Sequence, residues 1–121
     1  MKLGRKISGG KYIKRIKKKK YALPGQGKVV KLSQDEKRKT KRVQGGNKKI
    51  YLLRAKFVNI QEKNKKSKKV EIKNVIETPS NKFLARQNVL TKGTVIETEL
   101  GKVKITNRPT QEGMINGVLI K

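Results

Sequence analysis

The sequence predicts a mainly β chain: a small β-barrel or sandwich-like domain with one short helix, preceded by an extended basic N-terminal arm. Three observations carry that expectation. Short runs of β-branched and aromatic residues recur between Gly-rich turn signals. A single segment, around residue 78, carries a helix start. Positive charge is concentrated at the front: residues 1–69 hold +23 of the total +26, leaving +3 for residues 70–121.

Residues 1–27 read as the arm. Gly4, Gly9, Gly10, Pro24, Gly25 and Gly27 punctuate it, and Lys14-Arg15-Ile16-Lys17-Lys18-Lys19-Lys20 is its densest charge block. Alone, such a segment buries too little apolar surface to offset its ordering entropy. Residues 28–121 read as one mainly β domain. Lys28–Leu32 and Lys37–Val43 are short extended segments, the second almost wholly basic. Gln44-Gly45-Gly46-Asn47 then supplies residues that tolerate positive φ, the requirement of a tight hairpin turn.

Beyond it Tyr51, Leu53, Ala55 and Phe57 alternate on one side, with Arg54 and Lys56 on the other. Ile50, Leu53, Phe57 and Ile60 also fit a helical stripe, so periodicity alone leaves both open. The preceding glycines and the β-formers Ile50, Tyr51, Phe57, Val58 and Ile60 favour a strand. Residues 61–69 read as a basic loop and Val70–Ile76 as another strand.

Thr78-Pro79 predicts a helix, with Thr78 as N-cap and Pro79 at the first helical position. It would run to Gln87, bury Phe83 and Leu84, and expose Lys82 and Arg86. Residues 94–106 predict a hairpin turning at Leu100-Gly101. Glu99 would face Lys102 and Glu97 would face Lys104; on the other face Ile96 would meet Ile105 and Thr98 would meet Val103. Ile115–Ile120 reads as a last apolar strand.

Composition narrows the chemistry. Cys and His are both absent, which removes disulfides, zinc knuckles, thiol chemistry and the usual general base. Glu97 and Glu99 are the only closely spaced carboxylates on one strand face, and with a Lys across from each they read as surface ion pairs. No cofactor or metal site is expected, nor a membrane span or signal segment, and the chain reads as soluble and intracellular. Gly4-Arg5-Lys6-Ile7-Ser8-Gly9-Gly10-Lys11 approaches a phosphate-binding loop but fails it: the spacing is off by one, Tyr12 stands where Ser or Thr would hold magnesium, and no buried strand precedes it.

What remains is charge that a compact surface cannot carry without self-repulsion, and hence a polyanionic partner, nucleic acid. Of the 34 basic residues 27 are Lys and seven are Arg; Arg is the better candidate for geometrically defined phosphate contact. The candidate RNA contacts of the arm are Arg5, Lys6, Gly9, Gly10, Lys11, Lys14, Arg15, Lys17, Lys18, Lys19 and Lys20, the glycines letting backbone amides approach a phosphate. Those of the first hairpin are Arg42, Gly45, Gly46, Asn47, Lys48, Lys49 and Arg54. Arg86, Lys92 and Arg108 stand nearly alone in the acid-containing half.

Four blocks together resemble one family, the small-subunit ribosomal protein eight of archaeal and eukaryotic type, unrelated to the bacterial protein of that number. They are Gly4-Arg5-Lys6 with Ser8-Gly9-Gly10-Lys11, running on to Lys20-Tyr21; Arg42-Val43-Gln44-Gly45-Gly46-Asn47-Lys48 leading to Leu52-Leu53-Arg54-Ala55; Thr78-Pro79-Ser80-Asn81-Lys82-Phe83-Leu84-Ala85-Arg86 through Thr91-Lys92-Gly93 to Glu97-Thr98-Glu99-Leu100-Gly101; and Thr106-Asn107-Arg108-Pro109 with Gln111-Glu112-Gly113 and Asn116. The arm departs from the family in being Lys-rich where an Arg-rich version is expected, and the short length resembles the archaeal form.

The resemblance implies a structural, non-enzymatic component of the small ribosomal subunit. Its expected partners are small-subunit ribosomal RNA and neighbouring ribosomal proteins in the cytoplasm, with no membrane, no small-molecule substrate and no homo-oligomer. The basic extension would thread between RNA helices, neutralising phosphates where they pack. Two rivals share the composition: a ribosome-assembly factor with the same domain, expected to carry further N-terminal sequence, and a DNA-compacting chromatin protein, expected to bind duplex DNA as well as RNA.

Overall fold

The computed structural model describes residues 4–12, 17–61 and 66–120. β1 (Lys31–Leu32), β2 (Lys37–Arg42) and β3 (Lys48–Ala55) form a sheet in the order β1-β3-β2. β4 (Phe57–Gln61), β5 (Ser67–Glu77), β6 (Val95–Thr98), β7 (Gly101–Ile105) and β8 (Asn116–Leu119) close into a barrel in chain order. Neighbours within the barrel are antiparallel, and a parallel pairing of β4 with β8, from Asn59↔Asn116 to Gln61↔Val118, shuts the ring. The expected mainly β class holds, as a closed barrel, which leaves no free edge on that body.

One core serves both bodies. Val58, Ile60, Ile72, Val75, Ile96, Val103 and Ile105 fill the barrel, and Val30, Leu52, Ala55, Leu90 and Ile115 join the same cluster. Each fully buried aliphatic side chain stabilises the fold by about 1.5–3 kcal/mol. Only Lys56 separates β3 from β4, and its carbonyl accepts a 2.9 Å bond from the Ile72 amide, tying the crossing point to β5. Gly117 lets β8 lie close to β7: a Cβ there would run into Val103 Cγ1 and sit 3.1 Å from the Lys104 carbonyl.

The inward face of β3 differs from the simple alternation. Leu52, Ala55, Val58 and Ile60 are buried, Leu53 and Phe57 only partly. The pairing Lys37↔Arg54 is followed by Arg38↔Leu52, which leaves Leu53 as the extra residue of a bulge. That bulge and the break at Lys56 each shift the period-two phase, so Ala55 faces inward out of step with Leu52 before it and Val58 after it, and one unbroken alternation from Tyr51 to Phe57 meets only Ala55 of the buried set. β5 begins at Ser67, inside the stretch expected to be loop, and the rest of that loop at 62–65 lies outside the described residues.

The 95–105 hairpin forms, two residues out of the expected register. Ile96 pairs with Val103, Glu97 with Lys102 and Thr98 with Gly101, so Glu99 and Leu100 occupy the turn. A slip of two keeps every side chain on its face, and Ile96 and Val103 are buried as expected for that face. Gly101 takes φ 116°, and the Thr98 hydroxyl donates to its carbonyl at 2.9 Å, which favours this turn over one centred on Leu100-Gly101. Glu99 therefore has no strand position opposite Lys102.

α1 spans Lys82–Arg86, shorter than expected, and its N-cap is Asn81, whose Oδ1 accepts from the Phe83 amide at 2.9 Å. Thr78 is fully buried four residues before the helix begins, and its Oγ1 has no hydrogen-bond partner among the described residues, so it does not cap. Phe83 is 69% exposed, and Leu84 and Ala85 supply the partly buried side of this single turn. A second one-turn helix, α2 (Pro109–Glu112), was not expected. Pro109 at its first position and Gly113 after its end, at φ 71°, bracket it. Gly113 also lets α2 close on β3, because a Cβ there would lie 2.8 Å from Ile50 Cγ2.

Candidate nucleic-acid interface

All six residues of β2 are exposed, and five of them, Lys37, Arg38, Lys39, Lys41 and Arg42, are cations. Antiparallel pairing sets Lys41 directly opposite Lys49 and Arg42 directly opposite Lys48. Arg54 lies between Lys31 of β1 and Lys37 of β2. Like charges across a strand pair repel and destabilise the sheet. Among the described residues, one acid pairs with these cations: Glu36 with Arg38 at 3.3 Å. An external polyanion would supply the remaining countercharge.

The tip of this hairpin is the predicted turn. Gly45 and Gly46 adopt φ 74° and 77°, and the Val43 amide donates to the Asn47 carbonyl at 2.8 Å. A side chain at either glycine would be strained in the left-handed region. The turn therefore sets the two cation pairs side by side at the exposed end of the hairpin.

In the arm, Arg5 and Lys11 are bridge partners, and the loop between them is closed by Lys6 N to Gly10 O at 2.8 Å and Gly9 N to Lys6 O at 2.9 Å. Gly9 turns it at φ 79°. Arg5, Lys6 and Lys11 are exposed on this loop, as are Lys17, Lys18, Lys19 and Lys20 farther along. Lys14 and Arg15 lie outside the described residues. The segment meets the core at Val30, fully buried, whose carbonyl accepts from the Leu90 amide at 2.9 Å. Just before it, Lys28 Nζ sits 3.3 Å from the centre of the Tyr51 ring. Lys28 and Lys31, like Lys37, Arg38, Lys39 and Lys41 of β2, thus join the basic face without having been singled out. Arg42, Lys48, Lys49 and Arg54 around the Gly45-Gly46 turn were the part legible in the sequence.

The candidates in the neutral half divide. Arg86 is exposed in the last turn of α1, where a cation also suits the helix dipole. The charges of Lys92 and Arg108 both act on Glu112. The Asn107 side chain, donating to Oε2 at 3.1 Å, and the Arg108 amide, donating to Oε1 at 3.3 Å, hold the Glu112 carboxyl below its ordinary 4.5, and the charges of Arg108 and Lys92 add to this. Asn107 binds three ways: its amide also donates to the Met114 carbonyl at 2.8 Å, and its Oδ1 accepts from the Asn116 amide at 3.0 Å. Asn116 Oδ1 in turn accepts from Asn59 at 3.1 Å. The fourth sequence block is therefore a clasp that fastens α2 between β7 and β8 and fixes Arg108 beside it.

Among the described residues, no group of three or more His, Cys, Asp or Glu could hold a metal ion. No described helix is long and apolar enough to cross a membrane. The family model described as ribosomal protein S8e matches residues 1–120. The small ribosomal subunit protein eS8 of Methanococcus aeolicus is 45% identical over 96% of this chain and 91% of its own. The proteins of that name from Sulfurisphaera tokodaii and Staphylothermus marinus are each 48% identical over 97% of this chain and 92% of theirs. The basic hairpin, the arm loop and the Asn107 clasp lie within the matched span, and the chain belongs to the ribosomal protein S8e family.

Proposed function

We propose that the chain is a structural constituent of the small ribosomal subunit that binds small-subunit ribosomal RNA through Lys and Arg phosphate contacts. The arm, residues 1–27, and the β2–β3 hairpin of the domain at 28–121 supply those contacts. One observation supports this most: cations set opposite cations at Lys41/Lys49 and Arg42/Lys48, all four exposed, at the end of the hairpin. Neutralising about eight phosphates would give a log–log salt slope near −6 to −7. Phosphate contacts orient the protein, while specificity comes from RNA shape and from arm and domain engaging together. The family is structural rather than enzymatic, and the chain acts as a single copy among neighbouring ribosomal proteins in the cytoplasm.

Sedimentation of a cell lysate through a sucrose gradient after a stringent salt wash tests this reading. Co-migration with mature small subunits, at about one copy each, is expected. Recovery only with precursor particles would favour the assembly-factor reading, and recovery with DNA the chromatin reading; either would overturn the proposal.

A further inference from the structure

We infer that a groove beside the basic hairpin takes a single unpaired nucleotide of the bound RNA, with its phosphate on Lys41 and Lys49 and its base on Tyr51. The inference rests on the RNA-binding reading above and deepens it. The groove encloses about 320 Å³ and is lined by Lys41, Lys49 and Tyr51 of the hairpin, Gln26 at the end of the arm, Lys28 just after it, and Gln111 of α2 among others. That size sits at the small end of ligand sites. No acid lines it.

Its chemistry exceeds what a helix backbone would use. A duplex presents phosphates on a convex surface, and exposed cations on a ribbon suffice for it. Here three ammonium groups surround a concavity that also holds an aromatic ring and two carboxamides. Carboxamides match base edges, and a ring face matches a base plane; both are accessible only when the base is unstacked. Lys28 rests 3.3 Å above the Tyr51 ring in the free protein. An exposed cation–π contact is weaker than a stacked base, so an entering base displaces Lys28, whose charge then serves the same nucleotide's phosphate. A second hollow, about 420 Å³ and lined by Asn59, Gln61, Ser67, Thr106 and Asn116, has amides but no cation in its described lining, and lacks this pairing of functions.

The test compares the full-length chain on two short RNA hairpins, one fully paired and one with a single bulged 2-aminopurine. Wild type is expected to prefer the bulged RNA by about fivefold or more, the ratio that one stacked base provides. Base fluorescence should fall on binding as the base stacks on the ring. Tyr51→Phe should keep the preference, while Tyr51→Leu and the exposed Gln111→Ala should lose much of it with affinity for the paired hairpin held within about twofold. Tyr51 is half-buried, so a measurement independent of any variant accompanies these: 4-thiouridine at the bulge, irradiated on wild-type protein, should crosslink to the peptide containing Tyr51. Equal binding of both RNAs, or crosslinks only outside the groove, would overturn the inference and leave the general reading intact. Failure to bind either RNA would instead count against RNA binding itself.

Discussion

Replacing Lys41, Arg42, Lys48 and Lys49 together by Gln should weaken RNA binding and yet stabilise the protein. The two effects come from the same geometry. These four cations form two directly opposed like-charge pairs on β2 and β3, each destabilising by about 0.2–1 kcal/mol. Their removal should raise folding stability by about 0.5–2 kcal/mol, a rise of several degrees in Tm for a domain this size. The four side chains are exposed, so no buried packing is lost in exchange. If each contacts one phosphate, the salt slope should shrink by about 3 from its value near −6 to −7. Affinity for small-subunit ribosomal RNA would be measured across a salt series and Tm by circular dichroism without RNA. A slope within about one unit of wild type, or a variant that melts lower, would refute the claim that these pairs are strained for the sake of a polyanion.

Other consequences follow from the α2 region. Gly113→Ala places a Cβ 2.8 Å from Ile50 Cγ2 at a backbone φ of 71°, and should cost about 1–2 kcal/mol in chemical denaturation. Asn107→Ala removes the side-chain bonds to Glu112, Met114 and Asn116 and should cost about 1–3 kcal/mol, with faster hydrogen exchange across residues 107–116. The Glu112 carboxyl is held below 4.5 in the folded state, so its contribution is full above pH 4.5 and is lost as pH falls through the depressed folded value. The stability difference between wild type and Glu112→Gln should therefore be flat above that pH and shrink below it.

The large features of the fold were legible because local chemistry dictates them. The Gly45-Gly46 turn needs positive φ that few residues tolerate, and the alternation of Ile96 and Thr98 fixes an inner face wherever the hairpin turns. Positions that failed did so where a tertiary constraint outweighed a local one. Thr78 has the chemistry of a cap but is buried where the chain leaves β5, and the helix starts later, so Asn81 takes the role. Phe83 has the residue type of a core member, but a five-residue helix offers one partly buried side, and Leu84 with Ala85 occupies it. Leu52 displaced Leu53 because a bulge has no local signature in an otherwise regular strand. The α2 turn was signalled by Pro109 and Gly113, whose spacing is too short to show a periodic stripe. For the site, cation density was plain in the sequence. The placement of Lys28 on Tyr51, from segments separated along the chain, depends on how the arm enters the core at Val30.

Lysine acetylation of purified small subunits, mapped by mass spectrometry against the free protein, tests the central claim most directly. The account predicts that Lys41, Lys48 and Lys49 on the hairpin and Lys17, Lys18 and Lys19 in the arm are strongly protected in the subunit, while Lys73 on the barrel stays closer to its free reactivity. Hairpin lysines labelled as fast in the subunit as in the free protein would contradict it.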